Sequence, residues 1–449
     1  MNTNLLKTIG ACGVLALSLF SASTLADKPA KNIIFMIGDG MGVAQTTAYR
    51  YYADNKNTKA VETTIFDELL VGTASTYPDD NTYVTDSAAS ATALSSGIKS
   101  YNGAIGVDTN KKPVETLLER AKKLGKTTAI VASSQINHAT PASFMAHNES
   151  RKNYDAIADA YIDETINGKI KADLMLGGGT RYFIRDDRNL VEELKAKGFT
   201  YVDSFDALNQ LNTLPAIGLF APVGLPFAVD STALPNRVET MTKKALSLLK
   251  QDNNPNGFFV MIEGSQIDWC SHANDIACAM GEMSDFAKAI EYAHKFTQEH
   301  GDTLLIITAD HTTGGLSIGS NGTYDWKPEK VKQIKHSLEK ILTTMVSLEK
   351  STTTEEIKTL WSELVGLPLS EKDLTNLKES LNSPLKQAKM QKVVKSIIND
   401  ATFTGWTTSG HSAEDVQVFA SGVNKSLFTG QQDNTDIAKK LFLQLSPSK

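Results

Sequence analysis

The chain has 449 residues, of which 41% are hydrophobic, enough to bury a large core. Its length is compatible with two or three domains, or with one long α/β domain. A net charge of −6 at pH 7 and an isoelectric point near 5.8 argue against a surface for duplex nucleic acid, which requires clustered lysine and arginine.

The first 26 residues have the pattern of a cleavable signal peptide. Lys7 provides the positive flank, an apolar stretch runs from Ile9 to Phe20, and small residues lead to Ala26. This stretch is too short to span a membrane, and no later one reaches the roughly 18 apolar residues that a span requires. We therefore expect cleavage after Ala26 and a periplasmic or secreted protein without a membrane span.

Short apolar runs alternate with helical patterns along most of the remaining chain. Such runs are typical of parallel strands that crossover helices cover on both faces. The clearest runs are residues 32–37, 127–132, 257–262, 303–308 and 416–420, and the helical patterns include residues 114–124 and 285–297. The sequence therefore predicts an α/β fold with a doubly wound, mainly parallel central sheet and flanking helices.

Residues 84–93, Val-Thr-Asp-Ser-Ala-Ala-Ser-Ala-Thr-Ala, predict a loop that turns into a helix of small residues. Thr85 or Asp86 would cap this helix, which places Ser87 in its first turn. Backbone N–H groups and the helix dipole favour an anion at that position. No histidine or lysine lies near Ser87 in the sequence, so its use as a nucleophile would depend on metal ions.

Side chains that can bind metals stand at the ends of the predicted strands, where a doubly wound sheet binds its ligand. They are Asp39, His138, Thr140, Glu263, Asp268, His272, Asp310, His311 and His411. Four of the eight histidines occupy this setting, and His147, His294, His300 and His336 do not. Because carboxylates and imidazoles are ligands that zinc accepts, the pattern predicts a metal centre.

After removal of the signal peptide two cysteines remain, Cys270 and Cys278. On one continuous helix their spacing would separate them by about 12 Å, too far for a disulfide. A loop between them would allow the bond, in a compartment where disulfides persist. The spacing leaves both possibilities open.

Residues 316–400 differ from the rest because they are rich in Lys, Glu, Ser and Thr and contain no convincing strand. Their apolar residues recur at helical spacing, first over residues 331–348, then from the threonines at 352–354 to Gly366, and again over residues 393–398. We expect a helical cap inserted at 316–400 into a catalytic domain formed by residues 27–315 and 401–449.

Taken together, the motifs resemble those of the alkaline phosphatase family over residues 31–315 and 404–422. They are Gly38-Asp39-Gly40-Met41-Gly42, residues 84–93, Tyr101-Asn102-Gly103, Ala139-Thr140-Pro141-Ala142, Ser150-Arg151-Lys152, residues 263–272, Thr308-Ala309-Asp310-His311 and Gly410-His411-Ser412. The resemblance implies a homodimeric, metal-dependent phosphomonoesterase. It would release an alcohol and inorganic phosphate from small phosphomonoesters through a covalent phosphoserine at Ser87.

When the functional residues of the family are assigned to the matching positions of this sequence, the resemblance implies two zinc ions and one magnesium ion. The first zinc would be bound by Asp268, His272 and His411, the second by Asp39, Asp310 and His311, and magnesium by Asp39, Thr140 and Glu263. Arg151 would hold two nonbridging phosphate oxygens, a task that suits its planar guanidinium. The zinc ions would activate the Ser87 hydroxyl and stabilise the leaving oxygen.

Two positions depart from the best-known bacterial pattern, which has Asp and Lys where this chain has His138 and Trp269. Imidazole favours zinc or another transition metal, whereas magnesium prefers oxygen ligands. His138 either binds the third ion directly or hydrogen-bonds a water on it. Trp269 replaces a cation near the bound substrate, so we expect weaker retention of the phosphate product.

Other members of the same superfamily are alternatives: a phosphodiesterase, a sulfatase or a phosphomutase. A sulfatase needs a Cys/Ser-x-Pro-x-Arg motif, but Ala88, Ala89 and Ser90 follow Ser87 here. A phosphodiesterase is expected to lack the complete third site and Arg151. From a different class, a protein that captures phosphate without turnover would not need Ser87.

Overall fold

The computed structural model describes residues 28–231, 233–234 and 236–445, so the predicted signal peptide at 1–26 lies outside the described residues. The strands in this part of the chain are β1 Asn32–Gly38, β2 Leu70–Ser75, β3 Thr127–Gln135, β4 Thr165–Ile166, β5 Lys169–Ile170, β6 Leu174–Gly178, β7 Thr200–Val202, β8 Ala216–Leu219, β9 Phe258–Gly264, β10 Thr303–Ala309, β11 Thr312–Thr313, β12 Leu316–Ile318, β13 Thr404–Trp406, β14 His411–Ser412, β15 Val416–Gly422 and β16 Gly430–Asp433.

A ten-stranded sheet forms the centre of the fold, in the order β16-β2-β15-β10-β1-β9-β3-β6-β8-β7. Strand β15 is antiparallel to both of its neighbours, and the other strands of this sheet share one direction. The central strands β9 and β10 are buried along their whole length, as their continuous apolar runs predict. The predicted doubly wound, mainly parallel α/β sheet is confirmed.

Helices cover both faces of this sheet. They are α1 Val43–Ala53, α2 Ile65–Leu69, α3 Ser87–Ser96, α4 Leu117–Lys123, α5 Ala139–Met145, α6 Tyr154–Asp163, α7 Thr180–Phe183, α8 Leu190–Ala196, α9 Phe205–Gln210, α10 Arg237–Asp252, α11 Gln266–His272, α12 Ile276–Glu299, α13 Pro328–Val331, α14 Leu338–Ser347, α15 Thr354–Leu364, α16 Glu371–Asn382, α17 Lys386–Thr402 and α18 Asn434–Leu445. None of the helices within the described residues is both long enough and apolar enough to cross a membrane.

The segment 316–400 contains helices α13 to α17, whose apolar residues form part of the core. The apolar pattern over residues 331–348 belongs to two helices, because the chain turns after Val331 and Ser337 caps the start of α14. The segment also begins with a short strand that its composition did not predict: β12 pairs antiparallel with β13, so the chain enters and leaves this region side by side.

Cys270 and Cys278 form a disulfide, with their Cα atoms 5.4 Å apart. The bond is possible because α11 ends at His272 and α12 begins only at Ile276. Between them Asn274 adopts a left-handed conformation with φ 55°, and the Asp275 side chain accepts a hydrogen bond from the Cys278 N–H. The helix break therefore decides between the two possibilities that the spacing left open.

Candidate active site and metal centre

The three central strands end side by side and bring acidic residues from distant parts of the chain together. Gly38 of β1 lies opposite Ala309 of β10 and Gly264 of β9. Asp39 and Asp310 directly follow their strands, and Glu263 is the penultimate residue of β9. All three carboxyl groups are fully buried. Burial of so much negative charge is costly unless cations compensate it, which indicates a metal centre.

Three groups of side chains at this edge have ligand atoms within 4.8 Å of one another. The groups are Asp268, His272 and His411; Asp39, Asp310 and His311; and Asp39, His138 and Glu263. The first two contain the same residues as the two predicted zinc sites. The third shares Asp39 with the second, as predicted for the third ion, and it includes His138.

In the first group, backbone carbonyls orient both imidazoles. His272 Nδ1 donates to the Ser409 carbonyl at 2.6 Å, and His411 Nδ1 donates to the Thr85 carbonyl at 2.8 Å. Since a carbonyl oxygen can only accept, both Nδ1 atoms carry the proton, and both Nε2 lone pairs are free for a metal. The set of one carboxylate and two imidazoles fits zinc and leaves a fourth position open.

The second group has two carboxylates in contrasting settings. Both oxygens of Asp39 lack a hydrogen-bond partner, whereas Asp310 Oδ1 accepts from the N–H groups of Gly40 and His311. Burial and the neighbouring Asp310 hold the pKa of Asp39 well above its usual value. A buried carboxylate without donors is explained if a cation is its natural partner, so these residues fit a bound metal.

Thr313 connects the first two groups. Its hydroxyl donates to Asp268 Oδ1 at 2.6 Å and accepts from His311 Nδ1 at 3.2 Å. His311 Nε2 therefore faces Asp310 Oδ2 at 3.2 Å and Asp39 Oδ1 at 3.4 Å. Nothing in the sequence distinguished Thr313 from other threonines, because its two partners lie on separate segments.

In and beside the third group several buried atoms lack hydrogen bonds: His138 Nδ1, Glu263 Oε1 and the neighbouring Thr140 Oγ1. Thr140 lies in the first turn of α5, beside the Glu263 carboxylate. Burial raises the pKa of Glu263 to about 8, and burial with the nearby Arg151 lowers the pKa of His138 to about 3. His138 is therefore a neutral imidazole, the form that can bind a metal.

Ser87 is the first residue of α3, and its side chain is buried at the edge of the second group. Its Oγ lies 3.1 Å from His311 Nε2, the nitrogen that faces Asp39 and Asp310. Asp86 caps the helix by accepting from the Ala89 N–H at 2.9 Å. The predicted capping arrangement thus places the hydroxyl beside the second group of candidate ligands.

Arg151 is held by Asp86, the residue that caps α3. Its Nη1 donates to Asp86 Oδ2 at 2.9 Å, while Asp86 Oδ1 accepts from the N–H groups of Ala89 and Gly103. Burial lowers the pKa of Arg151, but Asp86 outweighs it and raises the pKa above the usual value. The sequence indicated Asp86 as a cap, not as the residue that orients Arg151.

Trp269 follows the ligand Asp268 on α11, and its ring meets the His138 ring edge to face, with centroids 5.7 Å apart. His138 Nε2 in turn lies 3.4 Å from Arg151 Nη2. Of the two positions that depart from the best-known pattern, His138 therefore neighbours the guanidinium group, and Trp269 neighbours His138.

A fourth acidic and imidazole cluster, Glu119, His147 and Glu164, lies away from the sheet edge. The Lys171 ammonium group occupies its centre, 2.8 Å from Glu119 and 2.5 Å from Glu164. Both His147 nitrogens already have acceptors, Glu164 and the Val114 carbonyl. This cluster is an internal ion-pair network, and His147 lies outside the strand-end setting, as its position in the sequence predicted.

The fold and the three ligand groups define the class of the protein: an α/β metalloenzyme with a serine hydroxyl at its metal centre. The alkaline phosphatase family model matches residues 30–446, and the chain belongs to this family. It is a metal-dependent phosphomonoester hydrolase.

Individual relatives agree with this assignment. Alkaline phosphatase 3 of Bacillus subtilis (strain 168) is 46% identical over 419 residues, which cover 92% of this chain and 89% of the relative. The crystal structure of a cold-active alkaline phosphatase from the psychrophile Shewanella sp. is 45% identical, with a TM-score of 0.85 over 92% of this chain and 100% of the other. Alkaline phosphatase from the Antarctic bacterium TAB5 is 27% identical, with a TM-score of 0.67 over 94% of this chain and 100% of the other.

Proposed function

We propose that Ser87 is the nucleophile and carries a covalent phosphoryl group between two half-reactions. The observation that carries this proposal is the 3.1 Å distance between Ser87 Oγ and His311 Nε2, an atom of the second ligand group. In the first step the Ser87 oxygen forms a bond to phosphorus while the bond to the alcohol oxygen breaks, and the alcohol leaves with a proton. Water then cleaves the phosphoserine, releasing inorganic phosphate and restoring the hydroxyl.

Zinc ions held by the first two groups would supply Lewis acidity, which lowers the pKa of the serine hydroxyl and stabilises the leaving oxygen. Asp268, His272 and His411 would hold one ion, and Asp39, Asp310 and His311 the other. Ser87 is the first residue of α3, where the positive end of the helix dipole also favours the anionic form of its oxygen.

Arg151 would bind two nonbridging oxygens of the phosphate. Asp86 engages Nη1, and Nη2 lies 3.4 Å from His138 Nε2. A planar guanidinium fixed by a carboxylate is preorganised for a bidentate contact, and it offsets charge on the phosphoryl oxygens in the transition state.

We further propose that Asp39, His138, Thr140 and Glu263 surround a third ion. Oxygen ligands favour magnesium, but the buried, neutral His138 favours zinc or another transition metal. A TAB5 alkaline phosphatase in which one histidine is replaced by glutamate carries Mg in its M3 site. Replacing His138 with Asp and measuring zinc and magnesium per chain tests the identity: an unchanged ratio of the two metals would show that His138 does not select the ion.

The test of the nucleophile is to trap the phosphoryl group. Incubation with ³²P-labelled phosphate followed by acid quenching should leave label on the wild type, with the labelled peptide containing Ser87. Ser87→Ala should show none, and Ser90→Ala, altered in the same helix, should keep it. Label that persists in Ser87→Ala would end the proposal.

Two assays separate this function from its alternatives. A preference for bis-p-nitrophenyl phosphate over p-nitrophenyl phosphate would identify a phosphodiesterase. Phosphate binding without any turnover would identify a capture protein. In the monoesterase we expect chelation to abolish activity and zinc with magnesium to restore it.

We also propose that the protein is exported, that it forms a homodimer, and that residues 316–400 are an insertion into a domain formed by 27–315 and 401–449. The Cys270–Cys278 disulfide supports export, because disulfides persist in oxidising compartments. The pairing of β12 with β13 supports the insertion. Export is tested by the N-terminal sequence of the protein recovered from the periplasm or medium. The homodimer is tested by the mass from sedimentation equilibrium.

A further inference from the structure

A cavity of about 500 Å³ lies between the body of the protein and helix α14 of segment 316–400. One wall is the loop 221–230, and the other is the first two turns of α14. Trp269 lies between them and also lines the cavity. A volume of this size is typical of small-molecule sites, and it is larger than a phosphate group requires. We call this space the Trp269 cavity.

Buried polar groups hold the loop wall in place. Arg237 is buried and donates through Nη1 to the Pro226 carbonyl and to Gln266 Oε1, while its Nη2 pairs with Glu282 at 2.6 Å. Glu282 accepts from the Ala228 N–H at 2.8 Å. Gln266 also donates to the Leu225 carbonyl at 2.6 Å. The loop is thus bonded at three positions, Leu225, Pro226 and Ala228, and forms a rigid wall.

Two carboxylates from outside segment 316–400 hold the opposite wall. Asp230 accepts from the Ser337 N–H at 3.1 Å, and Asp275 accepts from the Leu338 N–H at 2.5 Å. Both bonds satisfy N–H groups at the start of α14, which lack partners within the helix. The position of α14 relative to Trp269 is therefore defined by the fold.

Trp269 connects this cavity to the phosphate site. Its ring rests on the backbone of Gly224, where a Cβ atom would come within 2.4 Å of Trp269 Cζ3. Its edge-to-face contact with His138, 5.7 Å between centroids, leads to Arg151, 3.4 Å from His138 Nε2. The rings of His138 and Trp269 thus lie between the cavity and the guanidinium that would hold the phosphate.

The lining suits a planar aromatic group. Trp269, Pro222 and Phe227 offer ring and apolar surface on the body side, and Lys340, Thr343 and Thr344 offer polar groups on α14. An indole attracts another aromatic ring by stacking, and hydroxyls and an ammonium group can bind its polar substituents. A small aliphatic alcohol would leave most of the space to water.

We propose that the Trp269 cavity is a subsite for the leaving group and that it favours phosphomonoesters whose alcohol carries a planar aromatic ring, either nucleosides or aryl alcohols. The proposal rests on the proposed function, because it presumes that the phosphate lies between Ser87 and Arg151. It makes segment 316–400 a determinant of substrate preference through α14.

The experiment fills the cavity with Thr344→Phe and compares kcat/KM for three substrates: AMP, 1-naphthyl phosphate and glycerol 2-phosphate. We expect the ratio of the aromatic substrates to glycerol 2-phosphate to fall by about tenfold, the size that loss of one stacking contact produces. A fall in kcat/KM relative to glycerol 2-phosphate for AMP alone assigns the subsite to nucleosides. The same fall for 1-naphthyl phosphate alone assigns it to aryl alcohols. Ser347→Phe, on the same helix but outside the lining, is the matched control.

An unchanged ratio in Thr344→Phe, or the same fall in Ser347→Phe, would overturn the subsite. Thr343→Phe repeats the test if Thr344→Phe does not fold. These failures are distinct from failure of the proposed function, which would appear in the wild type as absence of acid-stable label on Ser87.

Discussion

His272 and His411 direct their Nε2 atoms at each other across 3.1 Å. Because both Nδ1 atoms donate to backbone carbonyls, neutral imidazoles would turn two Nε2 lone pairs toward each other. Such a contact is repulsive unless a cation lies between the nitrogens. Two nitrogens bound to one tetrahedral zinc would be about 3.3 Å apart, so the observed spacing fits a shared ion.

His411→Ala should therefore lower the zinc content by about one ion per chain, because the first group loses one of its three ligands. Elemental analysis of the purified protein after dialysis measures the change. His300→Ala is the control, since His300 bonds the Phe296 carbonyl outside the metal groups. Full zinc content in His411→Ala would show that this imidazole is not a ligand.

Asp86→Asn should weaken substrate and phosphate binding, because Arg151 loses the charged partner that orients it. Loss of a hydrogen bond to a charged group costs about 1.5–3 kcal/mol, so we expect KM and the inhibition constant of phosphate to rise roughly 10- to 100-fold. Steady-state kinetics with and without phosphate measure both constants. The Asn side chain can still cap α3, so an unfolded variant is not expected. An unaltered KM and an unaltered inhibition constant of phosphate would argue against a role of Asp86 in positioning Arg151.

Thr313→Val should reduce metal affinity without removing a ligand. The substitution keeps the shape of the side chain but removes the hydroxyl between Asp268 and His311. Loss of such outer contacts typically lowers metal affinity 10- to 100-fold. Competition with a zinc chelator measures it.

Thr312→Val is the matched control for this prediction, because the Thr312 hydroxyl bonds Ser412 and Glu414 instead of a ligand. Equal zinc affinities in the two variants would refute the role of Thr313.

Asp275 should make stability depend on pH. Burial raises the pKa of this carboxyl from 3.8 to about 6. Between these values the folded protein holds a proton that the unfolded chain has released, so the free energy of unfolding falls as pH rises through this window. Two pKa units correspond to a change on the order of 3 kcal/mol.

Urea unfolding of chelator-treated protein at pH 4 and pH 6.5 measures this slope. Asp275→Asn has no proton to release, so its free energy of unfolding should lack this pH dependence. The free energy of unfolding of the wild type minus that of the variant should therefore fall as pH rises. A difference that is the same at both pH values would show that Asp275 has no shifted pKa.

The sequence alone was sufficient to predict the central sheet and to predict that polar residues following its strands share one site. Parallel strands buried on both faces leave continuous apolar runs, and residues that follow such strands converge at one edge of the sheet. Asp39, Glu263 and Asp310 could therefore be assigned to one site from their positions after the apolar runs, and the structure brings their carboxylates together.

The contacts that orient these groups could not be predicted. Asp86 and Arg151 are 65 positions apart, and Asp268 and Thr313 are 45 apart, with no periodicity to connect them. Local patterns report which face of an element is buried, not which distant side chain it will meet.

By itself, then, the sequence determined the α/β architecture, the metal-binding character of the site and the family, because these depend on residue types at fixed positions along the chain. The tertiary structure decided the Cys270–Cys278 bond, the partners of Arg151 and Thr313, and the cavity beside Trp269. Each of these depends on how separate segments pack against one another. The amino-acid sequence of one protein does not specify the distances between residues on different segments.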